Sequence, residues 1–590
     1  MIFGKHINKY YLKFAHFFLI GIIALLVIDY VQLEIPEIIG TIIDGLEYKT
    51  LDYEQLIDSI IKLAGIAVLM VIGRFTWRYC IFGTSIKVET CIRDDMFKHA
   101  ETLSQSYFSK NKTGAQMALY TNDLQTIRMS FGPGIVMLAD ALFLGVIAYV
   151  KMIKLDWILA VLSLVPMLLI AIVGAIVSKF LDKKWEERQK AYENLSDFVQ
   201  ENFSGISVIK AFVKERREMK EFLKHNKDNA DKNVEFVKLS VLFDIMLSLT
   251  ITVTMVIIVG YGGYLVYKNK MLGIGDFSIG QLTEYLAYFE SIVWPMMAIA
   301  QLISMKSQAS ASLRRINELL DEKSDVNDDL VLYPDASLNG EVEFNNLSFR
   351  YSEDTPLVLK NISFKINNGE HVGIIGRTGC GKTTIVDLLM RVYNVNKGEI
   401  KIGGYDIMEV PVVNVRNTVG YVPQDNFLFS DTITKNIAFS KEIIDEVAVE
   451  DAAKYADVHE NIVDFPNKYD TVLGERGVTL SGGQKQRISI ARAFVKDPEI
   501  LILDDSVSAV DTKTERTILA NLKEKRAGKT TIVIAHRIST IKDMDRIILL
   551  EDGELKAFDT HENLLENSCL YREMVELQRL EDEKEAKQDG

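Results

Sequence analysis

The chain has 590 residues, 48% of them hydrophobic and 25% charged, with a formal net charge of -14. That length exceeds what one hydrophobic core organises, so several units are expected; the acidic balance excludes the broad basic face that nucleic acid requires. The four cysteines, Cys80, Cys91, Cys380 and Cys569, show no disulfide or C-x-x-C spacing, which suits a reducing compartment for the soluble part.

Long apolar runs fill the chain before about residue 305, and an alternating α/β pattern takes over after about residue 340. A bilayer core takes about 20 apolar residues per helix. Six stretches qualify, at roughly 15–43, 57–83, 132–152, 156–178, 240–267 and 277–305. Lys5, Lys9 and Lys13 precede the first, but no small-residue cleavage site follows, so it reads as a retained span rather than a signal peptide. The loop after it carries Asp44, Glu47, Asp52 and Glu54 against Lys49, whereas the next carries Lys87, Arg93, Lys98, Lys110 and Lys112. Basic loops stay in the cytoplasm, which predicts both termini inside. Lys151, Lys154, Lys268 and Lys270 run against this pattern, but only in two short loops.

The two cytoplasmic connections, about 84–131 and 179–239, look helical throughout, so the membrane helices are expected to continue well below the bilayer. Their bends near Tyr107–Gly114 and Gly205–Phe212 are expected to touch the soluble domain. Ionisable residues inside spans are functional candidates because burying charge in lipid is expensive: Asp29, Glu34, Glu37, Asp140, Asp244, Glu284 and Glu290. Glu284, Tyr285, Tyr288, Phe289, Glu290 and Trp294 form an acidic, aromatic group suited to amphipathic cations; a water-filled cavity or subunit seam would explain it equally. Pro36 and Pro295 mark expected kinks.

The division expected is therefore a membrane domain over 1–320, a polar linker over 321–340, a soluble α/β domain over 341–575 and a charged tail over 576–590. The second domain is organised by Gly376-Arg377-Thr378-Gly379-Cys380-Gly381-Lys382-Thr383, which fits G-x-x-x-x-G-K-[ST] between a buried strand, His371–Ile375, and a helical pattern from Thr384 onward. Glycines let successive N–H groups point inward, the helix dipole faces the same spot, and Lys382 adds a full charge, so β- and γ-phosphates fit there. Cys380 lies where the backbone does the binding, and no redox role is expected of it. Upstream, Tyr351 ends a strand where its ring could stack on a base. Downstream come a strand leading to Gln424, a helix opened by Ser481-Gly482-Gly483-Gln484, a buried strand Ile500–Leu503 delivering Asp504 and Asp505, and a buried strand Thr531–Ala535 delivering His536.

These elements in this order define the ATP-binding-cassette family, and the chain resembles a half-transporter of the exporter type along essentially its whole length. The resemblance implies an all-α six-helix transmembrane domain followed by an α/β phosphate-loop ATPase domain, with ATP and Mg2+ as cofactors. Tyr351 is similar to the adenine-stacking residue, Gly376 to Thr384 to the phosphate site, and Thr383, Gln424 and Asp504 to the magnesium ligands. His536 looks like the γ-phosphate sensor, Ser508-Ala509-Val510-Asp511 like the loop that crosses to the other subunit, and Gly474-Glu475-Arg476-Gly477 like the segment that reports to the membrane helices. Because cassettes of this family close head to tail, each ATP meets the partner's Ser481–Gln484, so a second half-transporter is implied.

One residue departs from the family pattern. Most members carry Glu directly after the metal-binding acid, where this chain carries Asp505. A carboxylate shorter by one methylene withdraws from the water it activates, so a slow ATP site and a heterodimer with a Glu-bearing partner are expected, with a homodimer as the alternative. The cargo expected is an amphipathic small molecule moved across the cytoplasmic membrane. A lipid or peptide exporter comes second, and an ATP-gated channel or regulatory subunit is the reading from another class.

Overall fold

The computed structural model describes residues 5–474, 477, 480–508 and 510–588, and its chain divides into two compact units. The first comprises Met1–Glu101 and Thr113–Glu322; the second comprises Thr102–Lys112 and Lys323–Gly590.

The first unit is helical. Among the described residues it holds six helical stretches long and apolar enough to cross a membrane. The first is broken in two, α1 (Ala15–Gln32) and α2 (Ile35–Glu47), because Pro36 has no N–H to donate and so sits in the opening turn of a new helix. Then follow α3 (Tyr53–Ala100), α4 (Thr113–Leu155), α5 (Trp157–Ser204), α6 (Glu215–Leu272) and α7 (Ile279–Asp321). The 58 residues of α6 give a rod of about 87 Å at about 1.5 Å per residue. That is nearly three times the roughly 30 Å of a hydrocarbon core, so a helix of this length exceeds what one crossing takes. None of the apolar window of α3 is buried inside the unit, and Val68, Val71 and Phe75 on it are left for lipid to cover.

Two features of this unit were not expected. The third span, α4, contains π-helical turns at Leu119–Asp123 and Asp140–Leu144, and is interrupted at Gly132–Pro133. The acidic, aromatic group of the last span is not one surface. Tyr285, Tyr288 and Phe289 are buried in the helical core. The Tyr285 hydroxyl lies 2.8 Å from Ser163 Oγ, and the Tyr288 hydroxyl donates to Glu284 at 2.8 Å. Helical period explains the split: positions 285 and 289 repeat on the inward face, while 290 and 294 repeat on the exposed one. Close approach of α2 to α7 depends on glycine, since a Cβ on Gly280 would fall 2.1 Å from the Gly40 carbonyl oxygen.

The second unit carries a four-stranded antiparallel sheet and a six-stranded, mostly parallel one. Its strands are β1 (Val342–Phe349), β2 (Leu359–Ile366), β3 (His371–Gly376), β4 (Ile400–Ile402), β5 (Tyr405–Asp406), β6 (Val419–Val422), β7 (Ile500–Asp504), β8 (Thr530–Ile534), β9 (Arg546–Glu551) and β10 (Glu554–Asp559). The small sheet runs β2-β1-β4-β5 and the large one β10-β9-β3-β8-β7-β6. Side chains alternate across the large sheet: Ile374, Ile502, Ile532 and Ile548 pack toward the small sheet, and Ile375, Leu503, Val533 and Leu549 pack toward helices. Burial on both faces is why β7 reads as an unbroken apolar run up to Asp504 and β8 as one from Ile532.

Of the segment 321–340 read as a linker, residues from Lys323 onward are bonded along this unit. Buried Arg391 donates to the Asn327 carbonyl at 2.8 Å, the Val412 N–H to Asp328 at 2.9 Å, and the Leu332 N–H to the Glu409 carbonyl at 2.8 Å. The short helix Gln105–Lys110 belongs to the same unit, with Ser106 Oγ donating to Asp325 at 2.6 Å. The first bend predicted from sequence therefore meets the soluble domain; the helix Ile206–Ala211 at the second bend lies in the first unit. Of the region 576–590 read as a charged tail, residues 576–588 are helical, as part of α11 (Cys569–Gln588).

Candidate active site

Parallel pairing brings the candidate residues to one edge. Gly376 pairs with Leu550, Asp504 with Ile534 and Val422 with Leu503. The carboxyl ends of β3, β6, β7 and β8 are thus level, and the glycine loop, Gln424, Asp504–Asp505 and His536 all leave the sheet there. Ligands of open α/β sheets bind at that edge.

The loop after β3 leads into α8 (Lys382–Leu389), and its first and last glycines are sterically required. A Cβ on Gly376 would meet the Leu550 carbonyl oxygen at 2.2 Å, and Gly381 takes φ +97° with Leu359 2.7 Å from its Cβ position. Lys382 is buried with its ammonium inside the loop, donating to the carbonyls of Gly376 (2.8 Å) and Arg377 (3.2 Å). Cys380 is buried beside it, and burial pushes its thiol up, which suits the absence of a redox role. Tyr351 sits at the rim, its hydroxyl 2.8 Å from Thr384 Oγ1 and its ring edge-on to Phe349 and Tyr393.

Asp504 is the hub. Almost fully buried, it accepts from Thr383 Oγ1 at 2.8 Å and from the Tyr421 hydroxyl at 3.3 Å. Tyr421 was not singled out in the sequence, where it is simply one residue of a strand. Burial pushes Asp504 up, with the charge of Asp505 adding to it against the Thr383 and Tyr421 bonds. Asp387, one turn into α8, is likewise raised to about 6 by burial and then by the charge of Asp504. A raised carboxyl gives stability that is fully present below its unfolded value near 3.8 and lost as pH rises through about 6. We therefore expect Asp387→Asn to raise the melting temperature at about pH 7.5, to raise it about half as much at about pH 5 and to change it little only below about pH 3.5, as thermal unfolding across the three values would show.

Crowded carboxylates favour a cation, and this donor set fits one in a particular way. No group of three His, Cys, Asp or Glu side chains among the described residues could hold a metal unaided. One hydroxyl and one carboxylate in contact instead fit Mg2+, which takes one or two protein ligands and completes its shell with water and substrate phosphate. Gln424 is exposed just beyond β6, with its amide free to approach.

Asp505 takes φ +46°, left-handed, which aspartate tolerates better than most residues. Its backbone is clamped: its N–H donates to the Ile534 carbonyl at 2.9 Å, and its carbonyl accepts from Ser508 Oγ at 2.8 Å. His536 is exposed at the end of β8, and its neighbourhood is held by a residue that sequence reasoning missed. The Gln578 side chain, on α11, donates to the His536 carbonyl and accepts the Ile538 N–H at 2.7 Å. Nothing local to residue 578 advertises this, since the two segments lie 42 residues apart. Gln578→Ala is expected to free the histidine segment and lower kcat several-fold with little change in KM for ATP; steady-state kinetics on the assembled transporter read both.

Ser481 caps α9 (Gly482–Lys496) in a capping box with Gln484: Ser481 N–H donates to Gln484 Oε1 (3.0 Å) and Gln484 N–H to Ser481 Oγ (3.3 Å). Gly482 opens this helix at an exposed end, followed by Gly483. The side chains of Ser481 and Gln484 are turned onto each other's backbone N–H groups, and among the described residues no bond joins them to the cradle. Asp511 caps α10 (Thr512–Lys525), accepting from the N–H groups of Lys513 (3.1 Å) and Thr514 (3.0 Å). Glu475, Arg476 and Ala509 lie outside the described residues.

Comparison with known proteins matches both halves of this arrangement. Residues 18–296 fit the ABC transporter transmembrane region, and residues 359–508 fit the ABC transporter family model. The chain is 35% identical over 578 residues to a probable multidrug resistance ABC transporter ATP-binding/permease protein, YheI, of Bacillus subtilis (strain 168), covering 98% of this chain and 97% of that one. This chain belongs to the ABC transporter family. It is 34% identical over 564 residues to the multidrug resistance-like ATP-binding protein MdlA of Escherichia coli (strain K12), covering 95% of this chain and 94% of that one. A solved bacterial Atm1-family ABC exporter with ATP bound aligns with a TM-score of 0.77 and 27% identity, over 95% of this chain and 97% of that chain. The ABC transporter is thus a multi-pass integral membrane protein whose second unit is an ATPase coupled to transport.

Proposed function

We propose that this chain is one half of a dimeric exporter that drives amphipathic small molecules out across the cytoplasmic membrane, with both termini in the cytoplasm. Exporters of this family work as dimers, and several relatives are named for multidrug resistance. The observation that carries the reading is that one chain holds a single phosphate cradle and a single Ser481–Gln484 helix end, with no bond between the two among the described residues. A second cassette laid head to tail against the first supplies the missing wall of each site.

The shared sheet edge and the family resemblance support these roles. Lys382 and the loop N–H groups bind the phosphates, Tyr351 stacks on the base, and Thr383, Gln424 and Asp504 hold Mg2+. The metal supplies charge neutralisation on the phosphates when bound. Asp505 orients the attacking water and His536 contacts the γ-phosphate. Across the seam, Ser481, Gly482, Gly483 and Gln484 present a helix N-terminus to the same phosphates, and Asp511 follows the crossing loop. Because Asp505 is one methylene short, the site built on this cradle turns over slowly, and the partner we infer is a different half-transporter carrying Glu there.

Inverted membrane vesicles holding this chain and its native co-purifying partner test the reading. ATP-dependent accumulation of a lipophilic dye against its gradient is the expected result. ATP-dependent dissipation without accumulation identifies a channel, and uptake confined to phospholipid or peptide identifies the second exporter class; either outcome sinks the proposal.

A further inference from the structure

Within the first unit, one carboxylate is buried without a partner. Asp29, on α1, is 5% exposed, and its Oδ2 accepts no hydrogen bond. An unpaired acid inside a membrane-crossing helix is expensive to keep and by default serves something. Against α1 packs the unexpected π turn Asp140–Leu144, which opens on a second acid, Asp140. On α7, the Trp294 Nε1–H donates to Asp140 Oδ2 at 3.3 Å.

All three residues stand at breaks in helical regularity. Asp29 lies one turn before the α1–α2 interruption, Asp140 lies in the π turn, and Trp294 precedes Pro295. Such irregularities at membrane depth are tolerated where they line a cavity, and π turns recur at functional sites. Nearby cations are engaged elsewhere. Arg74 donates to Gln32 at 3.4 Å, and Lys151 donates to Glu34 (2.8 Å), Glu37 (3.0 Å) and the Leu33 carbonyl (3.1 Å). Among the described residues neither Asp29 nor Asp140 has a basic partner within the same unit.

We propose that Asp29 and Asp140, with the Trp294 ring beside them, form the subsite that takes the positive charge of an organic monocation. This inference names the substrate class of the exporter proposed above and rests on that reading. The exposed stripe of α7 continues from Trp294 to a cavity of about 460 Å³ lined by Asn122, Gln125, Met129, Gln301, Met305 and Gln308. Its walls are amides, hydroxyls and thioethers without charge. An indole face beside the acids adds a cation–π contact.

The test is binding to the full-length chain in lipid nanodiscs, using tetraphenylphosphonium and tetraphenylborate, ions of the same shape and opposite charge. The phosphonium is expected to bind and the borate to bind far more weakly. Asp29→Asn and Asp140→Asn are each expected to weaken phosphonium binding by about tenfold or more, the value of one lost charge-assisted contact. Monodisperse elution and an unchanged thermal unfolding transition check the fold of each variant. If Asp29→Asn fails that check, Asp140→Asn on a different span decides. Equal affinity for the two ions, or wild-type phosphonium affinity in the folded variant, overturns the subsite. Because this measurement needs neither partner nor transport, its failure is distinct from a failure of vesicle accumulation, which sinks the export reading instead.

Discussion

Replacing Asp505 by glutamate is expected to raise ATP turnover by about a hundredfold in protein assembled from this chain alone, the value of recovering a misplacement near 1 Å. The native carboxylate cannot advance by moving its backbone. The N–H is tied to Ile534, and the carbonyl is tied to Ser508 and, at 3.4 Å, to Gln486 Nε2. Only an added methylene, about 1.5 Å of C–C bond, carries the group forward. In an assembly with a Glu-bearing partner, one site is already competent, so the same substitution raises the total rate by no more than about twofold. The left-handed φ of +46° suits aspartate better than glutamate, so the melting temperature should fall slightly while the rate rises. Steady-state phosphate release from the two assemblies, with Asp505→Asn as the blank, separates these cases. A brisk wild-type rate from the single-chain assembly, abolished by Asp505→Asn, would end the slow-site reading.

What the sequence made legible follows from range. The cradle, Asp504 and the Ser481–Gln484 helix end are each written in one short segment, and a buried strand such as Ile500–Asp504 announces itself by an unbroken apolar run. Span count was legible for the same reason, since twenty apolar residues need no partner to be recognised. What eluded the sequence is whatever depends on which face a residue takes or on a distant contact. Tyr285 and Glu290 differ by five positions and were read together, yet one is in the core and the other exposed. The π turn that re-aims Asp140 leaves no compositional mark. Gln578 reaches His536 across two elements, and the polar stretch 323–340 is ordered by Arg391, a residue that looks like any surface arginine until its burial is seen.

The same distinction between backbone and side chain decides the effect of losing Lys382. Its ammonium is the one full positive charge the structure places inside the loop, and it is held ready by two carbonyls, at 2.8 and 3.2 Å, rather than by a carboxylate. Neutral acceptors orient it without competing strongly, so phosphate oxygens of higher charge displace them readily. Lys382→Ala is expected to weaken ATP binding by about a hundredfold, from the roughly 1.5–3 kcal/mol of a charge-assisted hydrogen bond in a desolvated site. Transport and hydrolysis should be lost with it. Lys382→Arg should not restore them, because a planar guanidinium does not fit a buried slot that fixes a compact ammonium between two carbonyls. Fluorescent-nucleotide titration measures the change directly. A loss below about tenfold would show that the inward N–H groups and the dipole of α8 carry the affinity instead, and would move the role of Lys382 from binding to the stabilisation of charge during hydrolysis.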